Sequence, residues 1–303
     1  MASLIRKIRN KLSSKYIKYP LAAGIPLILG SIAALMAGAH ILTRRDLKPV
    51  AALRRIAKDH IRSITITTED GVRVSAWYIP RPGNNIVIIL SGRGTNRNEN
   101  VVKAELYLKR GYSVVLPDLR GTGRSGGERI TFGWDEQKDL IAWYHFLQAK
   151  GYNEIGAHGF SLGAATICYS LDELPNFKFL ILESCYMDLA EVMQMGLRRM
   201  YVPVIASVLL RPMVEYLSAV THEEMQPWTH LHYTNCPIMI MGGRKDRLVP
   251  VETLIQFFTK IDGPLAKLHI FERGAHENFS KFFRREYSQV FNEFFDQIEG
   301  PYV

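Results

Sequence analysis

From residue 63 onward the chain alternates short, nearly continuous apolar runs with helix-length segments, and few architectures accept that pattern. The runs are Ile86–Leu90, Ser113–Leu116, Ile155–Ala157, Phe179–Leu182, Ile238–Met241 and Leu268–Phe271. Runs of this kind suit parallel strands covered on both faces. The helix candidates among them are Glu99–Arg110, Asp135–Lys150, Leu162–Leu174, Val251–Ile261 and Ser280–Ile298. Asp135–Lys150 opens with acids and closes at Lys150-Gly151, as the helix dipole and the C-cap favour. Ahead of them, Ser63–Thr68 and Val72–Ile79 alternate in hydrophobicity around Glu69-Asp70-Gly71, a hairpin signal. A hairpin followed by strand–helix repeats predicts an α/β fold with a mostly parallel sheet.

One stretch breaks the rhythm. Fifty residues, 186–235, separate two expected strands, more than an ordinary crossover needs. They read as an inserted helical cap, or as an extra helix pair with no role toward a substrate. Inside them Val202–Leu210 is almost wholly apolar, includes Pro203 and closes at Arg211-Pro212. It is too short to span a bilayer. It fits either core or a lid that dips into a membrane interface.

The formal charge of +9 would suggest a nucleic-acid partner if it were spread over the fold. It is not. Residues 1–62 hold thirteen Lys and Arg against Asp46 and Asp59, a net +11, and the remainder carries −2. Nucleic acid is therefore excluded as the expected partner. Within that arm, residues 21–42 form an uncharged run of 22 residues whose only polar side chains are Ser31 and His40. As a helix it spans roughly 33 Å, enough for a hydrocarbon core of about 30 Å. The expected organisation is a basic tail over 1–20, a transmembrane helix over 21–42, a basic juxtamembrane linker over 43–62 and a folded body over 63–303. This is a single-pass membrane anchor. The rival is a cleaved signal peptide ending at Ala37-Gly38-Ala39, but the apolar run continues past that site. Six basic residues in 1–20 face seven in 43–62, so topology is not readable.

Gly159-Phe160-Ser161-Leu162-Gly163 directly follows the run Ile155–Ala157 and opens a helix. Glycines at both ends permit a sharp strand-to-helix turn that lifts the Ser161 hydroxyl clear of the sheet. A serine nucleophile needs a base, and the base an orienting carboxylate. Asp246 stands just past the strand Ile238–Met241 and His276 just past the last strand, in the order Ser, Asp, His. Glu183 also follows a strand end and is the alternative acid. His158 flanks the elbow with its side chain expected to point away from Ser161, and Asp118 reads as a loop organiser. The three cysteines have no metal-like spacing. Cys185 and Cys236, at opposite strand ends about 15 Å apart, are too far for a disulfide, which needs about 7 Å.

With these motifs residues 63–299 resemble the α/β-hydrolase superfamily, in particular serine hydrolases of the serine-aminopeptidase-like and membrane-anchored depalmitoylase-like kind. Further similarity lies in Ser91-Gly92-Arg93-Gly94, where relatives often carry His-Gly-x-G. It extends to the loop Pro117–Gly126 and to Thr131-Phe132-Gly133 with Glu136 and Asp139. The resemblance implies an eight-stranded, mostly parallel sheet with helices on both faces. It implies Ser161 as nucleophile, His276 as base then acid, and Asp246 as the orienting carboxylate. The backbone N–H groups of Leu162 and Arg93 would form the oxyanion hole.

The function expected is hydrolysis of an acyl ester or thioester, on a small-molecule or lipid-like substrate, without metal or organic cofactor. The alternatives are a peptidase or amidase of the serine aminopeptidase type, an acyltransferase, and a non-catalytic binding protein on the same fold. An aminopeptidase would need cap acids for the substrate amine, and Glu215, Glu223 and Glu224 are candidates. Oligomeric state is not readable from the sequence.

Overall fold

A computed structural model of the chain describes residues 30–51, 61–199, 205–218, 220, 221, 224, 226–233, 235–261 and 265–300. The basic tail 1–20, the first nine residues of the expected membrane span, residues 52–60 of the linker, Pro203 and Glu223 lie outside them.

The apolar runs become eight strands: β1 (Arg62–Thr67), β2 (Arg73–Ile79), β3 (Asn85–Leu90), β4 (Ser113–Pro117), β5 (Glu154–Phe160), β6 (Leu180–Glu183), β7 (Ile238–Gly243) and β8 (Ala266–Phe271). They form one sheet in the order β1-β2-β4-β3-β5-β6-β7-β8. β1 and β2 pair antiparallel, as do β2 and β4, and every later pairing is parallel. This is the α/β-hydrolase arrangement.

The two-residue period of a strand sorts the core into two layers. Ile86, Ile88 and Leu90 of β3, with Leu180 and Leu182 of β6, join the layer beneath α3 (Glu136–Ala149), α4 (Leu162–Ser170) and α7 (Val251–Thr259). Val87, Ile89 and Ile181 face the opposite layer, against α2 (Val101–Lys109) and α9 (Arg284–Glu299). α4 is buried along its whole length, which its almost uniformly apolar sequence LGAATICYS allows.

Two expected helices divide. The first opens as a 3-10 turn over Arg97–Asn100 before α2. The last breaks at Phe283, at φ −122° and ψ 41°, into a short α8 (Phe279–Phe282) and α9. Between β6 and β7 lie α5 (Leu189–Arg199) and α6 (Ile205–Ser218). The chain was expected to close its apolar run at Arg211-Pro212, but α6 runs through Pro212. The run is also divided by burial: Leu210 is buried, while Ile205, Val208 and Leu209 are exposed.

The chain is helical over 30–43 (α1). Among the described residues no helix is long and apolar enough to cross a membrane. The end of the expected span rests on the body of the protein. Ala39 is fully buried, Leu35 and Leu42 pack on the core, and a Cβ at Gly38 would meet Leu210 Cδ1 at 3.5 Å. Gly38 thus faces the Leu210 side chain of α6.

Candidate active site

Ser161, Asp246 and His276 follow β5, β7 and β8 at the carboxyl ends of the parallel strands, on the side of β3 where the strand order runs toward β8. At the end of β5 the chain must turn at once into α4. Ser161 takes φ 52° and ψ −109°, a conformation that costs a non-glycine residue energy. Its N–H donates to Glu183 O at 2.8 Å, and its C=O accepts from Ala164 and Ala165 N–H, so neighbouring elements hold the turn. A Cβ at Gly159 would lie 2.4 Å from the Gly163 carbonyl carbon, and one at Gly163 would lie 2.7 Å from Leu90 Cβ. No other residue type fits either place.

The structure brings Ser161, His276 and Asp246 together. His276 Nε2 is 3.0 Å from Ser161 Oγ, and Nδ1 is 2.8 Å from Asp246 Oδ2. The other Asp246 oxygen, Oδ1, accepts from Leu248 and Val249 N–H, each at 2.8 Å. The carboxylate is thereby fixed from both sides and fully buried. This order of contacts is one in which a carboxylate can align the ring and the ring can accept a proton from the serine. A cavity of about 410 Å³ opens at Ser161, with Arg93, Phe160, Leu248, His276 and Phe282 in its wall.

Leu162 and Arg93 flank the serine. Leu162 is the first residue of α4. The loop carrying Arg93 lies against the elbow, since a Cβ at Gly92 would meet the Phe160 ring at 2.6 Å. Ser91, where relatives often have histidine, accepts from Asn100 Nδ2 at 3.1 Å, and Thr95 Oγ1 donates to Gly92 O at 2.8 Å. Asp118 organises the next loop, accepting from Arg97 N–H, Arg97 Nη2 and Arg124 N–H. Glu136 accepts from the Thr131 and Gly133 amides, and Asp139 pairs with Arg120.

Glu183 does not reach His276. It lies below the elbow with its carboxylate 2.8 Å from Lys103 Nζ and 2.6 Å from His158 Nε2, and accepts from Tyr287 Oη at 2.5 Å. Burial would raise its pKa, but the Lys103 ammonium and the His158 ring outweigh that and hold it at about 2. Burial keeps His158 neutral, with Tyr107 Oη on its Nδ1 at 2.9 Å, so Lys103 is the positive partner. Sequence reasoning missed Lys103, although a lone basic residue on the buried face of VVKAELYLK is a signal that it needs a partner.

The cap acids lie elsewhere. Glu215 pairs with Arg211 at 3.2 Å beside a separate cavity of about 310 Å³ between α5 and α6. Glu224 accepts from Thr221 N–H and Oγ1. Cys168, Cys185 and Cys236 are buried and in no disulfide, and the Cys168 and Cys185 sulfurs are 4.0 Å apart. Among the described residues no group of His, Cys, Asp and Glu could hold a metal ion.

Comparison with known proteins places this geometry in context. The sequence profile of the prolyl oligopeptidase family matches residues 100–300. An uncharacterized Bacillus subtilis protein, YqkD, is 25% identical over 245 residues, 78% of this chain and 79% of its own length. The Pyrococcus furiosus esterase Pf2001 superposes with a TM-score of 0.70 at 26% identity, over 84% of this chain and 98% of the esterase. Mouse alpha/beta hydrolase domain-containing protein 10 shares the fold, with a TM-score of 0.60 at 16% identity over 78% of this chain and all of its own.

Proposed function

The chain belongs to the prolyl oligopeptidase family and is a serine hydrolase of the α/β-hydrolase superfamily; from that premise we propose that it is a membrane-anchored enzyme cleaving an acyl ester or thioester. The observation that carries the reading is the unbroken chain of contacts from Ser161 through His276 to Asp246. Ser161 Oγ attacks the acyl carbonyl as His276 Nε2 takes its proton, and the Asp246 carboxylate stabilises the imidazolium. The tetrahedral oxyanion is held by the N–H groups of Leu162 and Arg93. His276 then protonates the departing alcohol or thiol, leaving an acyl ester on Ser161. Water, deprotonated by the same ring, attacks that ester and releases the acid.

Anchoring is supported by the uncharged run 21–42, its basic flanks, and two adjoining helices that expose aliphatic side chains. Ile32 and Ile41 of α1 and Ile205, Val208 and Leu209 of α6 are more than two-fifths exposed. In this reading α6 shields one side of the anchor and shares the membrane interface with it, close to lipid-borne acyl groups.

The family match favours a second reading, peptide or amide cleavage by the same three residues. Neither Glu215 nor Glu224 is in the wall of the cavity at Ser161, but Glu99 and Glu277 are, and the substrate panel decides between the two readings. Fluorophosphonate labelling that disappears in Ser161→Ala is the expected result, and labelling that survives this change overturns the proposal. A panel of esters, thioesters and aminoacyl amides of graded chain length is expected to show turnover of the first two. Turnover of the amides alone selects the peptidase.

A further inference from the structure

We propose that residues 41–51 form a strap that holds the oxyanion loop in place, and that Arg93 is the positioning residue joining the two. This rests on the reading above, in which the Arg93 backbone N–H receives the oxyanion. The last carbonyls of a helix have no partner within it and form the negative end of its dipole. At α1 two of those carbonyls, of Ile41 and Leu42, are taken by the Arg93 side chain. Its Nη2 donates to Leu42 O at 2.7 Å and Ile41 O at 3.0 Å, and its Nε donates to Leu42 O at 3.1 Å. One residue thus carries a proposed catalytic donor on its backbone and a clamp to a segment some 50 positions away on its side chain.

The rest of the strap repeats the contact along the same loop. Lys48 Nζ donates to Gly94 O. Asn96 Nδ2 donates to Lys48 O at 3.1 Å and Pro49 O at 3.2 Å. Asn98 exchanges two bonds with the Ala51 backbone, each at 3.0 Å. On its other edge the strap is bound to the loop that follows β4, through Asp46 N–H to Gly121 O and Ile130 N–H to Thr43 O, each 2.7 Å. The loop from Ser91 to Asn98 is therefore held between the elbow and a segment continuous with α1. An oxyanion donor works only within a few tenths of an ångström of its place, and a misplacement of about 1 Å costs on the order of 100-fold in rate. The strap supplies that precision.

The test uses the full-length protein in detergent, with p-nitrophenyl butyrate as substrate and a trifluoromethyl ketone as the probe of oxyanion binding. Arg93→Ala keeps the backbone N–H and removes the clamp. The expected result is a fall in kcat of about 10- to 100-fold with KM nearly unchanged, and a matching rise in the ketone Ki. Arg93→Lys, which still presents a cation to the carbonyls, is expected to restore part of both. Asn98→Ala, which loosens the strap at its far end, is expected to move kcat and Ki together in the same direction by a smaller factor. Native kcat and Ki in a folded Arg93→Ala protein overturn the inference. Should Arg93→Ala not fold, native kcat and Ki in Asn98→Ala overturn it instead. In either case Ser161→Ala separates the two claims: if it is inactive the hydrolase reading stands without the strap, and if it retains turnover that reading itself fails.

Discussion

Gly159 sits where even a methyl group has no room, and the reason is backbone rather than side chain. The atoms a Cβ would strike belong to Gly163 and Ala164, at 2.4 and 2.5 Å, so no rotamer change relieves the clash. Gly159→Ala is expected to destabilise the fold by at least about 2 kcal/mol, read as a lower urea midpoint at unchanged slope. A native midpoint would show that the elbow is looser than its geometry. At this scale the sequence was most informative where a residue belongs to a short local pattern. Ser161 is announced by its flanking glycines, and Asp246 and His276 by their places just past strand ends. Glu183 satisfies the same positional rule, and only the folded chain shows it turned toward Lys103 and His158. The Arg93 clamp was illegible because its partners are backbone carbonyls 51 and 52 positions away, which have no side-chain signature.

At the scale of elements, every strand was placed by its apolar run but not bounded by it: β5 is seven residues where three were expected, and β7 and β8 are each two residues longer. Burial demands an apolar run at the centre of a strand, while the ladder continues past it, through His158 and Gly159 in β5 and Gly242 and Gly243 in β7. Helix ends were less legible. Phe283 breaks the last helix by its dihedral angles, and nothing in the residue type requires that. The pair formed by Lys103 on α2 and Glu183 on β6 ties the back of the sheet to the elbow. Lys103→Met leaves a buried carboxylate without its cation and is expected to cost about 3–5 kcal/mol at neutral pH. The sign of the pH dependence follows. In the native protein Glu183 is held at about 2 against an ordinary 4.5, so its contribution is complete above pH 4.5 and is lost as pH falls toward 2. In the variant burial acts unopposed by lysine and favours the protonated acid. The gap between variant and native melting temperatures is therefore expected to be widest near neutrality and to narrow below pH 4.5. A gap constant from pH 7 to 3 would assign the loss to packing.

For the whole molecule, the charge and the chemistry occupy different parts of one chain. An arm of +11 surrounds the apolar run, and a body of −2 carries the site. α1 joins them, with one side on Leu210 of α6 and Ile32 and Ile41 exposed. If α6 shares the interface with the anchor, Val208→Glu and Leu209→Glu weaken only the encounter with lipid-borne substrate. KM for a long-chain ester presented in vesicles is expected to rise about 10-fold for each change, with a soluble short-chain ester turned over as before. Equal losses on both substrates would place α6 in the fold rather than at the membrane. Residues 186–235 read as an inserted segment between two strands, but which side of α6 is covered depends on packing against α1 and α5, which no single stretch of sequence records.

His276 lies 115 residues after Ser161, beyond the last strand, and β8 is the edge of the sheet. A chain made from its N-terminus toward its C-terminus therefore acquires its serine early and its base almost last. While β5 and α4 are already outside the ribosome, the proposed nucleophile has nothing to take its proton. In the proposed mechanism competence waits for β8 to pair with β7, since His276 follows that strand. A chain cut before His276 loses part of the cavity wall together with the proposed base, so in the proposed mechanism an unfinished enzyme is silent.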